Sequence, residues 1–370
     1  MRIALVAPPF IPVPPRRYGG TELFIAHLAD GLRRLGHEVI VYANGESRVD
    51  CELRSLYPRG EWPITSDVSG NLKDLNHTAW ACQDAAGAVD VIHLNNAPGL
   101  AFSRFVGEPI VYTLHHPHEP GLSDFYGSYP EVTYVTISEF QRSVETMPRM
   151  VSIHHGLNMG RYPVIERKRQ YLSFLGRIAP SKGPHLAIQA ARRAGIPLKL
   201  AGEIQPLYRD YWDTQVRPHV DGRFIEYVGE ADHRKKIELL GNSTAMLFPI
   251  QWNEPFGLVM IEAMACGTPV LALPGGSVPE IVRDGVSGWI CRDVEDMAAR
   301  ARTVEISAAS CRRYVDEHFS IEVMARRYEG VYQGAMAHRR ELRRSEARTA
   351  RPAQPVVDRA PASTVPAVTR

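Results

Sequence analysis

EPFGLVMIEAMACGTPVLALPGG, residues 254–276, sets two carboxylates, Glu254 and Glu262, eight positions apart across a helix start and closes with a strand and a glycine pair. Pro255 and Gly257 suit a tight approach into a helix over about 258–265, with Gly267 as its C-terminal cap. The amides from Phe256 to Met260 lack intrahelical partners, which predicts an anion site at that helix start. Glu254 lies in the loop before these amides and Glu262 about one turn inside.

Outward from this block, short β-rich apolar runs alternate with helical patterns, the mark of parallel α/β architecture. Strands are expected at 3–7, 39–42, 91–94, 110–114 and 133–137. After a polar, basic stretch at 159–170 the pattern restarts at 171–175, 198–201, 224–228, 245–248 and 270–273. This predicts two Rossmann-like domains in series, 1–160 and 165–318, with parallel sheets facing across a cleft. Residues 321–337 have helical spacing and are expected to pack back on the first domain. Residues 339–370 run from Arg-rich to Pro, Ala and Thr, lose all periodicity and are expected to form a disordered tail.

Open parallel sheets bind ligands beyond the carboxyl ends of their strands. The polar and glycine-rich singularities fall there: Gly19 and Gly20 after the first strand, Asn95 after the third and His115 after the fourth. In the second half they are Gly176 with Arg177, Gly202 with Glu203, Gly229 with Glu230, and the Glu254 block. Arg177 and Lys182 share a loop bounded by Gly176 and Gly183, where a planar fork and a point charge suit two phosphoryl groups.

Composition narrows the classes. The 370 residues are 44% hydrophobic and 23% charged, an ordinary soluble composition for two domains, and a net charge of +2 argues against a nucleic-acid partner. Five scattered cysteines with no CxxC pair indicate neither disulfides nor zinc, so a reducing, cytoplasmic setting is expected. No apolar run spans a membrane, and MRIALVAPPF lacks the pattern of a signal peptide. The run RRELRRSEARTAR, 339–351, is charged enough for peripheral membrane contact but lacks the apolar face that such a helix needs.

GRIAPSKG (176–183), the 254–276 block and GGSVPEIV (275–282) together resemble the family 4 retaining glycosyltransferases. The likeness is dense from 171 to 289. Before residue 160 it rests on PPRRYGGTE, TLHHP and TISEFQR. The resemblance implies a GT-B fold, a nucleotide-sugar donor and an acceptor that is a sugar, glycolipid or small molecule. It implies that Arg177 and Lys182 hold the donor diphosphate, that Glu262 accepts from the ribose hydroxyls, and that Glu254 lies near the transferred sugar. Phe256, Gly257 and Leu258 would offer amides to the phosphate or sugar, and Gly19 and Gly20 amides to the donor phosphate or the acceptor. Glu203 and Gly229 would lie near the base.

His115 or its neighbour His116 would contact the donor sugar. HHPH tempts a metal reading, yet Pro117 and the missing carboxylate partners argue against it, and no D-x-D pair occurs. No metal or cofactor is therefore expected. Ser277 and Glu280 fit a capping box, leaving Glu280 either a cap or a site residue. A nucleotide-sugar epimerase of similar fold and a catalytically silent nucleotide-sugar-binding relative are the competing functions. A dinucleotide-dependent oxidoreductase is disfavoured, because PPFIPVPPRRYGG is not G-x-G-x-x-G.

Overall fold

The computed structural model describes residues 1–16, 19–64 and 66–349. Its first sheet contains β1 Arg2–Val6, β2 Glu38–Tyr42, β3 Glu52–Arg54, β4 Val91–Leu94, β5 Ile110–Thr113, β6 Thr133–Thr136 and β7 Met150–Ser152. Their order is β3-β2-β1-β4-β5-β6-β7. The second sheet contains β8 Leu172–Leu175, β9 Leu198–Ala201, β10 Ile225–Tyr227, β11 Ala245–Phe248, β12 Val270–Ala272 and β13 Gly288–Ile290, in the order β10-β9-β8-β11-β12-β13. All neighbouring strands are parallel; Ile3 pairs with both Val39 and Val91, and Met246 with both Ser173 and Val270.

Helices cover both faces of each sheet, so central strands such as β4 and β11 are buried along their whole length; β11, AMLF, is apolar throughout, and β4, VIHL, has one polar residue, His93, with both ring nitrogens hydrogen-bonded. The strands missing from the sequence expectation are β3, β7 and β13, three residues each at sheet edges. Being half-solvated and short, they carry no period long enough to stand out.

Chain order reverses between β1 and β4 in the first sheet and between β8 and β11 in the second. These switch points open crevices at the carboxyl ends of the strands. Gly19 and Gly20 lie beyond β1, Asn95 beyond β4, Arg177 beyond β8 and Glu254 beyond β11, so both motif clusters stand at a crevice.

Helix Gly20–Arg34 turns Phe24, Ile25, Leu28 and Leu32 into the core against Ile3 and Leu5. The long helix Ile321–Thr349 joins the same core through Met324, Tyr328 and Tyr332. A buried hydrogen-bond chain fixes it there: Tyr332 Oη to His93 Nδ1 at 2.8 Å, His93 Nε2 to Thr113 Oγ1 at 2.8 Å, and Thr113 to Tyr328 Oη at 2.9 Å.

The expected aperiodic tail differs in its first part, because the helix continues through Thr349. Arg339 Nε and Arg343 Nη2 both donate to the Gly107 carbonyl, at 3.1 and 2.6 Å, which docks the arginine run on the first sheet's flank. Residues 350–370 of that expected tail lie outside the described residues. Among the described residues no helix is long and apolar enough to cross a membrane.

Candidate active site

A cleft of about 500 Å³ separates the two sheet edges. Gly19, Gly20, His115, His116 and His155 line it from one side; Gly176, Arg177, Lys182, Glu203, Glu254, Gly257, Leu258 and Glu262 line it from the other. Gly20 and Leu258 mark its narrow part, where a Cβ on Gly20 would stand 3.7 Å from Leu258 Cδ1. A larger groove of about 820 Å³ opens beside Gln170, Pro197, Thr244 and Pro269. Those residues precede β8, β9, β11 and β12, so the groove lies at the amino ends of the strands, where open sheets do not present their ligand crevice.

The loop after β11 is shaped by Gly276. It adopts φ 58°, and a Cβ there would fall 2.2 Å from the Glu254 carbonyl oxygen. Only glycine permits this approach, which presses the two loops together and fixes the Glu254 backbone. Glu254 is 7% exposed, and its Oε2 accepts from Lys182 Nζ at 2.5 Å and Trp252 Nε1 at 2.8 Å. Burial lowers the Lys182 pKa, against the opposing pull of Glu254. Glu262, in helix Leu258–Ala265, is 2% exposed, and its Oε1 accepts from Tyr162 Oη at 3.0 Å and from Lys236 Nζ.

Arg177 is half-buried and among the described residues makes one long bond, Nη1 to Gln205 Oε1 at 3.5 Å; Gln205 Nε2 in turn donates to Glu203 Oε2 at 3.0 Å. Its guanidinium therefore keeps most of its five donors for a ligand. Phe256 is buried in the core beneath the helix start, edge-on to His155 at 4.8 Å.

The rival histidines separate on their hydrogen bonds. His116 commits both nitrogens, Nδ1 to the Pro117 carbonyl at 2.7 Å and Nε2 to Tyr126 Oη at 2.5 Å. For His115, Asn95 donates its Nδ2 to the Val6 carbonyl and so turns Oδ1 towards Nε2, at 2.9 Å. Nε2 must then carry the proton, and Nδ1 is left as an acceptor. Burial, with His155, His93 and His116 nearby, holds the His115 pKa well below its usual value and keeps the ring neutral. His155 stacks on it at 5.7 Å.

Two expectations change. Ser277 makes no capping bond and instead donates Oγ to the Phe256 carbonyl at 2.8 Å. Glu280 crosses to the first sheet's side and caps helix Glu139–Val144, accepting from the Glu139 and Phe140 amides at 2.7 and 2.6 Å and from His154 Nε2 at 2.9 Å. A carboxylate at a helix N-terminus is favourable, and Glu280 supplies one to a helix of the first domain. Gly229 does not border the cleft; its carbonyl accepts from the Gly202 amide at 3.0 Å and braces the loop beside Glu203.

Burial alone would raise the Glu280 pKa, but the bonds from His154, Phe140 and Glu139 outweigh it and hold it below 4.5. A depressed carboxylate stabilises above its unfolded value and loses that contribution as pH falls through the folded one. Glu280→Ala is therefore expected to destabilise the protein by about 2 kcal/mol near neutral pH. That gap should hold down to about pH 5 and close under further acidification, as read by thermal melts of both proteins across pH. A gap unchanged into strong acid would contradict the cap.

Tyr162, Lys236, Trp252 and His155 were not legible as site residues. Trp252 stands two positions from Glu254 and offered a proximity signal; Lys236, inside DHRKKIELL, offered none.

Two family profiles tile the chain: "Glycosyltransferase Family 4" matches residues 18–173 and "Glycosyl transferases group 1" residues 162–317. The glycogen synthase of Mycobacterium tuberculosis is 26% identical, over 85% of this chain and 88% of its own length. The phosphatidyl-myo-inositol mannosyltransferase of Mycolicibacterium smegmatis is 26% identical, over 81% and 83%. Among solved structures, AviGT4, a glycosyltransferase involved in avilamycin A biosynthesis, superposes with a TM-score of 0.69 at 26% identity, over 91% of this chain and 98% of that one.

Proposed function

This chain belongs to the group 1, family 4 glycosyltransferases and has their GT-B fold, and we propose that it is a retaining enzyme moving a hexose from a nucleotide-sugar donor to an acceptor hydroxyl without a metal ion. One observation carries this reading. A single cleft gathers the Arg177–Lys182 loop, the helix start at Leu258 with its two carboxylates, and Gly20 with His115 from the opposite sheet.

Arg177, Lys182 and the amides around Gly257 take the donor diphosphate, and Glu262 takes the ribose. Glu254 and the open Nδ1 of His115 accept from hydroxyls of the transferred sugar. Because His115 stays neutral with Nε2 given to Asn95, it orients the sugar as an acceptor and not as an acid. The bond from the anomeric carbon to the phosphate oxygen breaks through an oxocarbenium-like state, and the electron pair leaves with the diphosphate. The acceptor oxygen bonds on the same face, and its proton passes to the departing phosphate. Fixed cations and dipoles aimed at that developing charge lower the barrier.

Arg177 and Lys182, two cations placed to neutralise a diphosphate, support the metal-independent reading. Five unpaired cysteines support a reducing, cytoplasmic setting. The acceptor is a sugar, glycolipid or small-molecule hydroxyl.

A thermal-shift screen against the UDP, GDP, ADP and dTDP sugars tests the donor class. A ligand at a hundred times its Kd stabilises by about 2.7 kcal/mol, so at least one member should raise Tm by several degrees. A flat response to the whole panel would overturn the assignment.

A further inference from the structure

The two carboxylates of the cleft are anchored alike. Glu254 receives Lys182 and Trp252 on one oxygen, Oε2; Glu262 receives Lys236 and Tyr162 on one oxygen, Oε1. In each, an ammonium and a neutral aromatic donor converge on the same atom. Among the described residues no protein donor meets the second oxygen. An ionised carboxylate offers about four lone-pair sites, so each anchored oxygen is filled while its partner keeps two. Glu262 borders the cleft, and Oε2 is its open acceptor.

We propose that Lys236 and Tyr162 are positioning residues that hold Glu262 so that Oε2 accepts both ribose hydroxyls of a nucleoside diphosphate. This rests on the reading of the cleft as a nucleotide-sugar site with Glu262 at the ribose. Three separate elements supply the parts: helix His233–Gly241 brings Lys236, helix Leu258–Ala265 brings Glu262, and the turn after Met159–Arg161 brings Tyr162. Tyr162 is itself locked, its ring edge-on to His233 at 5.2 Å and its carbonyl accepting from Arg312 Nη1. Burial and the Glu262 charge both raise the Tyr162 pKa, so the phenol remains a donor.

Holding a flexible Glu before the ligand arrives removes the ordering cost from binding. Without Lys236 a carboxylate this buried loses its paired cation and one of its two anchoring donors. It would then turn away towards solvent and accept less well from two hydroxyls.

Calorimetry on the full chain with UDP, ADP and GDP, each beside its 2′,3′-dideoxy counterpart, tests this. Wild type should bind one ribonucleotide at least about tenfold more tightly than the dideoxy form, a difference of about 1.4 kcal/mol. Lys236→Met and Tyr162→Phe should each remove most of that preference while leaving dideoxy affinity within about twofold, and Lys236→Arg should restore it. Tyr162→Phe keeps the buried ring and serves if Lys236→Met fails to fold. Equal losses for both ligand forms would overturn the proposal, placing Lys236 on the phosphates or in the fold alone. A wild type that binds nucleotide without telling the forms apart overturns it while the nucleotide site stands. Failure of wild type to bind any of the three overturns this inference, and the functional reading falls with it when the thermal-shift panel, dTDP sugars included, is also flat.

Discussion

Arg177→Ala is expected to fold normally and to lose roughly 10² to 10³ in kcat, the scale seen when one preorganised donor to a developing oxyanion is removed. The two halves of that result have separate causes. Arg177 is half-buried and its one bond among the described residues, to Gln205, is 3.5 Å long. Its removal strands no buried partner, so stability should change by less than about 1 kcal/mol. Arg177 lines the cleft, and under the proposed function its remaining donors face the leaving diphosphate as it gathers charge. An interaction that strengthens in the transition state appears in kcat more than in KM. Arg177→Lys should recover only part of the loss, since a point charge cannot reproduce the fork. Turnover of donor to free nucleoside diphosphate reads all three proteins, and near-normal turnover by Arg177→Ala would remove the leaving-group role.

Glu254→Ala should damage both stability and activity, and a second substitution should separate the two. Side-chain exposures of 9% for Glu254 and 15% for Lys182 make this a mostly buried pair. Breaking such a pair from one side leaves an uncompensated charge, at a cost of about 3 kcal/mol. Lys182, whose pKa burial already lowers, would lose the neighbour that raises it. Trp252 Nε1 would lose its acceptor as well. The double variant Glu254→Ala/Lys182→Met removes the stranded ammonium and should regain much of the stability, as replacement of both partners often does. Its activity should not recover, because under the proposed function a diphosphate contact and a sugar contact are both gone. Denaturant melts beside donor turnover decide this; a double variant as unstable as the single one would show that the charge pair is not what holds the loop.

Much of this design is written in local sequence. Two parallel sheets follow from apolar runs such as AMLF, because strands covered on both faces bury nearly every side chain and are mostly apolar. The Glu254–Glu262 spacing, the helix between them and Gly267 after it are equally local. What escaped depends on distance. Glu280 looks like a partner for Ser277 three residues away, yet it caps helix Glu139–Val144, about 140 positions earlier in the chain. The Arg339–Arg344 stretch reads as a solvated charge run because its carbonyl partner, Gly107, lies across the fold. Lys236 and Tyr162 belong to Glu262 only once three elements have packed. Periodicity and capping patterns reach a few residues, and a buried ion pair between helices leaves no mark at that range. The hydrogen bonds that distinguish His115 from His116 likewise involve Asn95 and Tyr126, neither of which adjoins them in the chain.

Most decisive would be a structure of the protein with the tightest-binding nucleoside diphosphate from the screen. Its diphosphate should lie between the Arg177–Lys182 loop and the amides around Gly257, facing Gly20, with the ribose hydroxyls on Glu262 Oε2. A nucleotide bound elsewhere, for example in the groove beside Gln170 and Pro269 at the opposite ends of the strands, would contradict the assignment of the interdomain cleft as the donor site.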